Sequence, residues 1–217
     1  SSATENDLFW VWDESFADDG TSIHGGAGGV GTAALQLCQW TGVEQVWATA
    51  SGHKSEIIKS FGGIPIDRHT ADFTIFVKEA TDGRGVDHIL DPIGGDNLTR
   101  SLGCLAEGGK LYTYGLSSAA PTSKRSILKA FFALRKTPKF DALRLMTRNR
   151  GVFGVHMGTW KDEEAMAQQL YRIMEGVKEG HLKPVIDSVF DAKDVAKAHQ
   201  YIHDAKNIGK VLLRFNE

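Results

Sequence analysis

The run His24-Gly25-Gly26-Ala27-Gly28-Gly29-Val30-Gly31, followed by the apolar stretch Thr32 to Gln39, constrains this chain more than any other feature, because it can bring backbone amides against a phosphate. Glycines at 25, 28 and 31 remove Cβ atoms where the chain must turn tightly, where it approaches a pyrophosphate and where a helix packs on its strand. The positive helix N-terminus then faces the anion. A glycine run by itself also fits a flexible loop, so its context decides. About twenty residues on, a strand over 46–50 ends where an NAD-binding domain places an Asp or Glu for the ribose hydroxyls. Here that place holds Ser51, Gly52, His53 and Lys54. With no carboxylate to repel a 2′-phosphate, Ser51 and Lys54 can bind one through a hydroxyl and a cation, which favours NADPH over NADH. A solvated surface lysine is the alternative for Lys54.

Strand-like and helix-like segments alternate along the chain. Helices are predicted over 32–41, 54–61, 73–81 and 96–105, and strands over 46–50, 64–66, 86–91, 110–114 and 152–155. An amphipathic helix over 163–176 carries Met166, Leu170, Ile173 and Val177 on one face, followed by a strand over 185–190, a helix over 194–202 and a strand over 210–215. This order predicts an α/β fold, a Rossmann-type doubly wound parallel sheet covered on both faces. Three parts are expected: 1–19 unassigned, 20–160 a nucleotide-binding domain, and 161–217 a set of helices and strands packed on it. One element fits badly. The strand before a dinucleotide turn should be a nearly continuous apolar run, yet 18–24 offers only Ile23, so that strand is short or the segment has lost residues.

At 217 residues and 41% hydrophobic content the chain can bury an ordinary core, and a net charge of −2 gives no electrostatic reason to expect nucleic acid. Cys38 and Cys104 lack the spacing of a metal site or a disulfide framework, which suits a reducing cytoplasm and buried apolar roles. The apolar run 8–12 is too short for a membrane span and lacks a basic flank, so no signal peptide is expected. None of the eight histidines stands in a zinc-ligand motif, and no metal is expected. Residues 124–150 carry nine Lys or Arg against one acid, interleaved with Ile127, Phe131, Phe132, Leu143 and Met146. Such a stretch can meet an anionic membrane or a partner, but more often packs on its own domain with a solvated basic face; Pro138 should break it.

With these residues in view, the chain resembles the cofactor-binding half of a medium-chain dehydrogenase/reductase of the zinc-free quinone oxidoreductase branch, most like the vesicle amine transport protein group. The stretches that carry this are HGGAGGVGTAALQLC at 24–38, ATASGHKSEIIKSFG at 48–62, GVDHILDPIGG at 85–95, GGKLYTYG at 108–115, HLKPVIDSVF at 181–190 and NIGKVLL at 207–213. The resemblance implies pyrophosphate contacts at Gly28, Gly29, Val30 and Gly31, and 2′-phosphate contacts at Ser51 and Lys54. Arg68 stands where the family often has a tyrosine on that phosphate. Pro92, Ile93, Tyr114, Gly115, Phe153 and Gly154 correspond to the wall beside the nicotinamide, with plain core packing the alternative for Tyr114 and Phe153. Asn207 and Lys210 match residues that reach the cofactor from the final segment. His24 could touch the cofactor or simply close a strand with an ordinary hydrogen bond, and His156 is the better candidate for a polar substrate contact.

The resemblance further implies hydride transfer from NADPH to a small quinone, enone or carbonyl, in which orientation and exclusion of water are the protein's contribution. Family members begin with a β-rich catalytic domain that residues 1–20 do not resemble, so one wall of the substrate pocket is expected to be missing, and 181–217 to be the remnant that returns to it. A homodimer through uncovered edges or apolar faces, with weak catalysis by the chain alone, is the expectation. The rival reading is a non-catalytic NADPH-binding or interaction module. A methyltransferase on the same sheet is disfavoured, since its ligand also wants an acid near position 51.

Overall fold

The computed structural model describes residues 20–117 and 137–215. Six strands, β1 (Gly20–His24), β2 (Gln45–Ala50), β3 (Ile64–Asp67), β4 (Val86–Asp91), β5 (Leu105–Thr113) and β6 (Gly151–Gly154), form one sheet in the order β3-β2-β1-β4-β5-β6. All neighbouring pairs are parallel. The helices α1 (Gly29–Trp40), α2 (Ser55–Ser60), α3 (Phe73–Ala80) and α4 (Asp96–Cys104) fill the crossovers, giving the doubly wound α/β fold expected from the alternation. Strand side chains alternate between faces. Ile23, Ala48 and Leu90 join Leu35, Cys38 and Ile58 in one buried cluster, while Trp47, Ile89 and Leu111 join Phe73, Val77 and Leu98 in another. Cys38 and Cys104 are both buried thiols, and burial pushes Cys38 up to about 12.

The poorly fitting strand is β1 itself. It lies at the centre of the sheet with all five residues buried, although three of them, Thr21, Ser22 and His24, are polar. Its register is held by parallel ladders on both sides, and its last side chain is hydrogen-bonded. Two other boundaries moved by three residues or more. α1 starts at Gly29 rather than 32, because glycine gives no helical signal in sequence yet adopts the helix here. β5 starts at Leu105 rather than 110, running through a register irregularity opposite Val86 and His88 and through Gly108 at φ 81°.

Further along the chain, α5 (Ala142–Met146) begins after Pro138 with Asp141 as N-cap. Residues 124–136 of the basic stretch, like residues 1–19, lie outside the described residues. α6 (Glu163–Lys178) follows β6, and then β7 (Ile186–Asp191), α7 (Val195–His203) and β8 (Lys210–Arg214) make a βαβ unit with a two-stranded parallel sheet. The helical spacing of Met166, Leu170, Ile173 and Val177 is present, but Leu170 is 59% exposed, and the buried residue of α6 is Gly176, packed against Trp40 and Leu182. Among the described residues no helix is long and apolar enough to cross a membrane.

Candidate dinucleotide site

The glycine turn joins β1 to α1 at the point where strand order reverses, between β1 and β4, where an open α/β sheet leaves a crevice. Gly25 turns at φ 71°, and the Gly26 amide donates to the Thr49 carbonyl at 2.9 Å. A Cβ on Gly26 would lie 2.6 Å from that of Ala48, and one on Gly31 would lie 2.6 Å from the Cα of Gly26. The close helix-to-strand approach expected of Gly31 is therefore shared: Gly26 meets strand β2, and Gly31 meets the turn. Gly28 is the N-cap of α1 in extended backbone, and a Cβ there would meet only the Gly25 carbonyl, at 3.2 Å. The first amides of the helix, Gly29, Val30 and Gly31, have no acceptor within the helix. Lys210 lies against the first of these residues, with Cδ and Cε 2.7 Å and Nζ 3.0 Å from where a Gly29 Cβ would stand. That segment is tied down by a bridge between Gly28 and Gly209, and by the Gly209 amide donating to the Ala27 carbonyl at 2.8 Å.

At the ends of β2 and β3 the structure gathers Ser51, Lys54 and Arg68. Lys54 is only 7% exposed, and its ammonium donates to the carbonyls of Ala205 and Asn207, each at 2.6 Å. Burial, followed by the nearby Arg68 charge, lowers its pKa, and Asp187 opposes the shift. Ser51 Oγ lies 3.3 Å from His69 Nε2, and Arg68 Nε donates to the same nitrogen at 3.3 Å. His69 was not singled out in sequence; the signal available was its position two residues after Asp67, whose Oδ1 accepts the His69 amide at 3.0 Å in an Asx turn.

The wall expected beside the nicotinamide is built on a buried carboxylate. Asp91 is fully buried; its Oδ1 accepts the amides of Ile93 at 2.7 Å and Gly94 at 3.0 Å, which fixes the Pro92-Ile93-Gly94 turn. Its Oδ2 accepts from Asn97 Nδ2 at 2.8 Å and Ser101 Oγ at 3.1 Å. Ser101 then meets His24 Nε2 at 3.0 Å, and His24 Nδ1 meets Thr49 Oγ1 at 3.3 Å. His24 is thus a buried strand-end histidine in a hydrogen-bonded chain. Burial above all, with help from Arg100 and against Asp91, lowers its pKa to about 4. Gly25 ties this wall to the glycine turn, since a Cβ on it would lie 3.8 Å from the Pro92 ring, and Gly115 packs on Pro92 so closely that a Cβ would be 2.6 Å from its carbonyl oxygen. Tyr114, partly buried, packs against the Ile23 cluster, and Phe153 stacks on Tyr112 across the strands at 5.5 Å. Gly154 and His156 are exposed at the end of β6, and Asn207 turns its amide onto the Gly209 carbonyl at 2.8 Å.

This geometry meets its relatives. The family described as zinc-binding dehydrogenase matches residues 64–213. The chain belongs to the medium-chain dehydrogenase/reductase family. It is 37% identical over 193 residues to the synaptic vesicle membrane protein VAT-1 homolog of Rattus norvegicus, across 88% of this chain and 48% of that protein. The solved structure of the human VAT-1 homolog-like protein is similar at TM-score 0.71 and 27% identity, across 92% of this chain and 54% of that one. A 2-haloacrylate reductase is similar at TM-score 0.73 and 26% identity, across 91% and 58%. This chain therefore spans about half the length of the VAT-1 relatives it matches. The VAT-1 relatives are the group that the sequence stretches most resemble. Among the described residues no group of three or more His, Cys, Asp or Glu stands close enough to hold a metal ion.

Proposed function

We propose that this chain binds NADPH and forms the cofactor-holding part of a reductase acting on a quinone, enone or carbonyl. The observation that carries the reading is the row of helix amides at Gly29, Val30 and Gly31 with Lys210 packed against Gly29, beside a Gly28 whose missing Cβ leaves room for a phosphate. Partial positive charge from the helix end and a full charge from lysine both favour a pyrophosphate there. Ser51, Lys54 and Arg68 make the adenosine corner cationic where an NAD-selective site would carry an acid. Pro92, Ile93, Tyr114 and Gly115 form the wall against which the nicotinamide would be oriented.

When bound, the nicotinamide supplies a hydride to an electrophilic carbon. The chain's own residues bind, orient and exclude water. Asp91 holds the Ile93 and Gly94 amides still, and the packing of Gly115 on Pro92 closes the sheet end behind them. The similar 2-haloacrylate reductase is named for reducing an activated alkene, which supports the substrate class. Calorimetric titration tests the cofactor reading: NADPH should bind about tenfold or more tighter than NADH, one charge-assisted contact's worth. Equal affinities would overturn it.

A further inference from the structure

We propose that the arginine-lined cavity between α4 and α5 is a second anion site, which takes a phosphoryl group and stands apart from the dinucleotide crevice. The cavity lies where β5 and β6 begin, whereas a ligand of an open α/β sheet binds beyond the ends where its strands finish. This inference therefore stands or falls without the NADPH reading.

The second half of the basic stretch builds the cavity. Arg144 and Arg148 are spaced i and i+4, one helical turn apart, and so share a face. The chain then reverses at Asn149, φ 48°, and the Arg150 amide returns to the Leu145 carbonyl at 3.1 Å, which brings a third guanidinium to the same lining. Arg150 is fastened in place. Its terminal nitrogens donate to the Leu102 carbonyl, at 2.8 Å, and to the Leu105 carbonyl, leaving a buried Nε with no acceptor among the described residues. Burial, followed by the Arg148 charge, lowers its pKa. Arg144 and Arg148 are exposed, Thr99 adds a hydroxyl, and Gly103 is bare backbone where a Cβ would meet nothing within 4 Å.

Opposite charge is missing. The acids close in sequence or on neighbouring elements are already engaged: Asp141 accepts the Leu143 amide at 2.9 Å, Glu107 accepts from Asn149 Nδ2 at 2.6 Å, and Asp72 pairs with Arg100 at 2.7 Å. Among the described residues no carboxylate pairs with Arg144, Arg148 or Arg150. A carboxylate entering the cavity would satisfy one guanidinium fork. A phosphoryl group brings close to two negative charges at neutral pH, on several oxygens that such forks match. The cavity, about 90 Å³, has room for a group of that size. The same chemistry arrives on a soluble phosphate ester or on a phospholipid head, and the test separates the two.

Amide chemical shifts of the whole chain, followed during titration with inorganic phosphate, with glycerol 3-phosphate and with chloride at matched ionic strength, give the answer residue by residue. Both phosphates should move Leu102, Gly103 and Arg150 along one saturating curve that chloride does not reproduce. Arg144→Gln and Arg148→Gln should each weaken that binding about tenfold. Gly103→Leu keeps every charge but fills the cavity, and should abolish it. All three positions are exposed, so the variants keep their fold. Cosedimentation with phosphatidic acid vesicles, set against phosphatidylcholine vesicles, identifies the source. Binding that Arg148→Gln removes extends the site to a lipid head, and saturation by the free phosphates alone assigns it to a soluble ester. Shifts confined to Gly29, Val30 and Gly31, a response that never saturates, or undiminished binding in Arg148→Gln and Gly103→Leu would overturn the site and leave the NADPH reading untouched.

Discussion

The six-stranded half and the C-terminal part of this chain solve the burial problem in opposite ways. In the sheet half, polar groups are buried and paired, as in the chain from Thr49 through His24 and Ser101 to Asp91, and apolar residues such as Ile23, Leu35 and Ile89 are sealed. In the part from α6 to β8, Leu170, Tyr171, Ile173, Met174, Val189 and Leu212 stand open, and beside the packing of Gly176 and His181 on Trp40 the attachments are hydrogen bonds: Lys54 to two carbonyls, Gly209 to Ala27, and the Lys183 amide to Gln36 Oε1 at 2.6 Å. One half is held by its own core. The other is held by polar bolts set around the candidate cofactor site, with its apolar stripe uncovered.

The sharpest way to break this comparison is at two glycines of one turn. Gly31→Val should cost about 3 kcal/mol or more, since its side chain would drive into the backbone of Gly26. Gly28→Val should leave the fold intact, because the backbone there is extended and a Cβ would meet only the Gly25 carbonyl at 3.2 Å, yet remove dinucleotide binding. Circular dichroism with a cofactor titration separates the two; a Gly28→Val chain that still binds NADPH would show that the turn holds no phosphate.

Next in size is a pH effect confined to the sheet half. An unperturbed histidine ionises near 6.5 and native His24 near 4, so between those values the unfolded chain binds a proton that the native chain does not. This contribution to stability is therefore constant above pH 6.5, falls by about 3 kcal/mol as pH drops towards 4, and levels off below. Denaturant unfolding at several pH values should show that loss in the wild type and a flatter profile in His24→Asn, and identical slopes in both would refute it.

The smallest expected effect is in the other half. Leu170→Glu should change the stability of the folded monomer by no more than about 0.5 kcal/mol, because that side chain is already in solvent. We further expect self-association of the wild type through this stripe, weakened by the same substitution. Sedimentation over a wide concentration range checks both; a wild type that stays monomeric throughout removes the second expectation.

What the sequence made legible follows the same divide. Period and punctuation located nearly every helix and strand, and the glycine run placed the turn at the switch point. β1 escaped because its burial is made tolerable by partners from β2 and α4, Thr49 and Ser101, that no local pattern reveals. The seating of Lys54 escaped for the same reason: its carbonyl partners are backbone atoms 151 and 153 residues away, and backbone atoms leave no mark in side-chain chemistry. Asp91 was visible only as a strand end, although it organises the wall that follows. His69 could have been found from the Asp67 turn, had the turn been weighed with the strand end beside it.

Those long separations also set a schedule. A ribosome adding about 5–20 residues per second makes Lys54 roughly 8 to 30 seconds before the carbonyl of Asn207 that it holds, 153 residues later. Through that interval the sheet can assemble strand by strand, but the glycine turn waits without Lys210, and Lys54 has no carbonyls to grip. The glycine turn and the segment that covers it therefore come together only once residues 205–210 have been made, as a docking step separate from the assembly of the sheet.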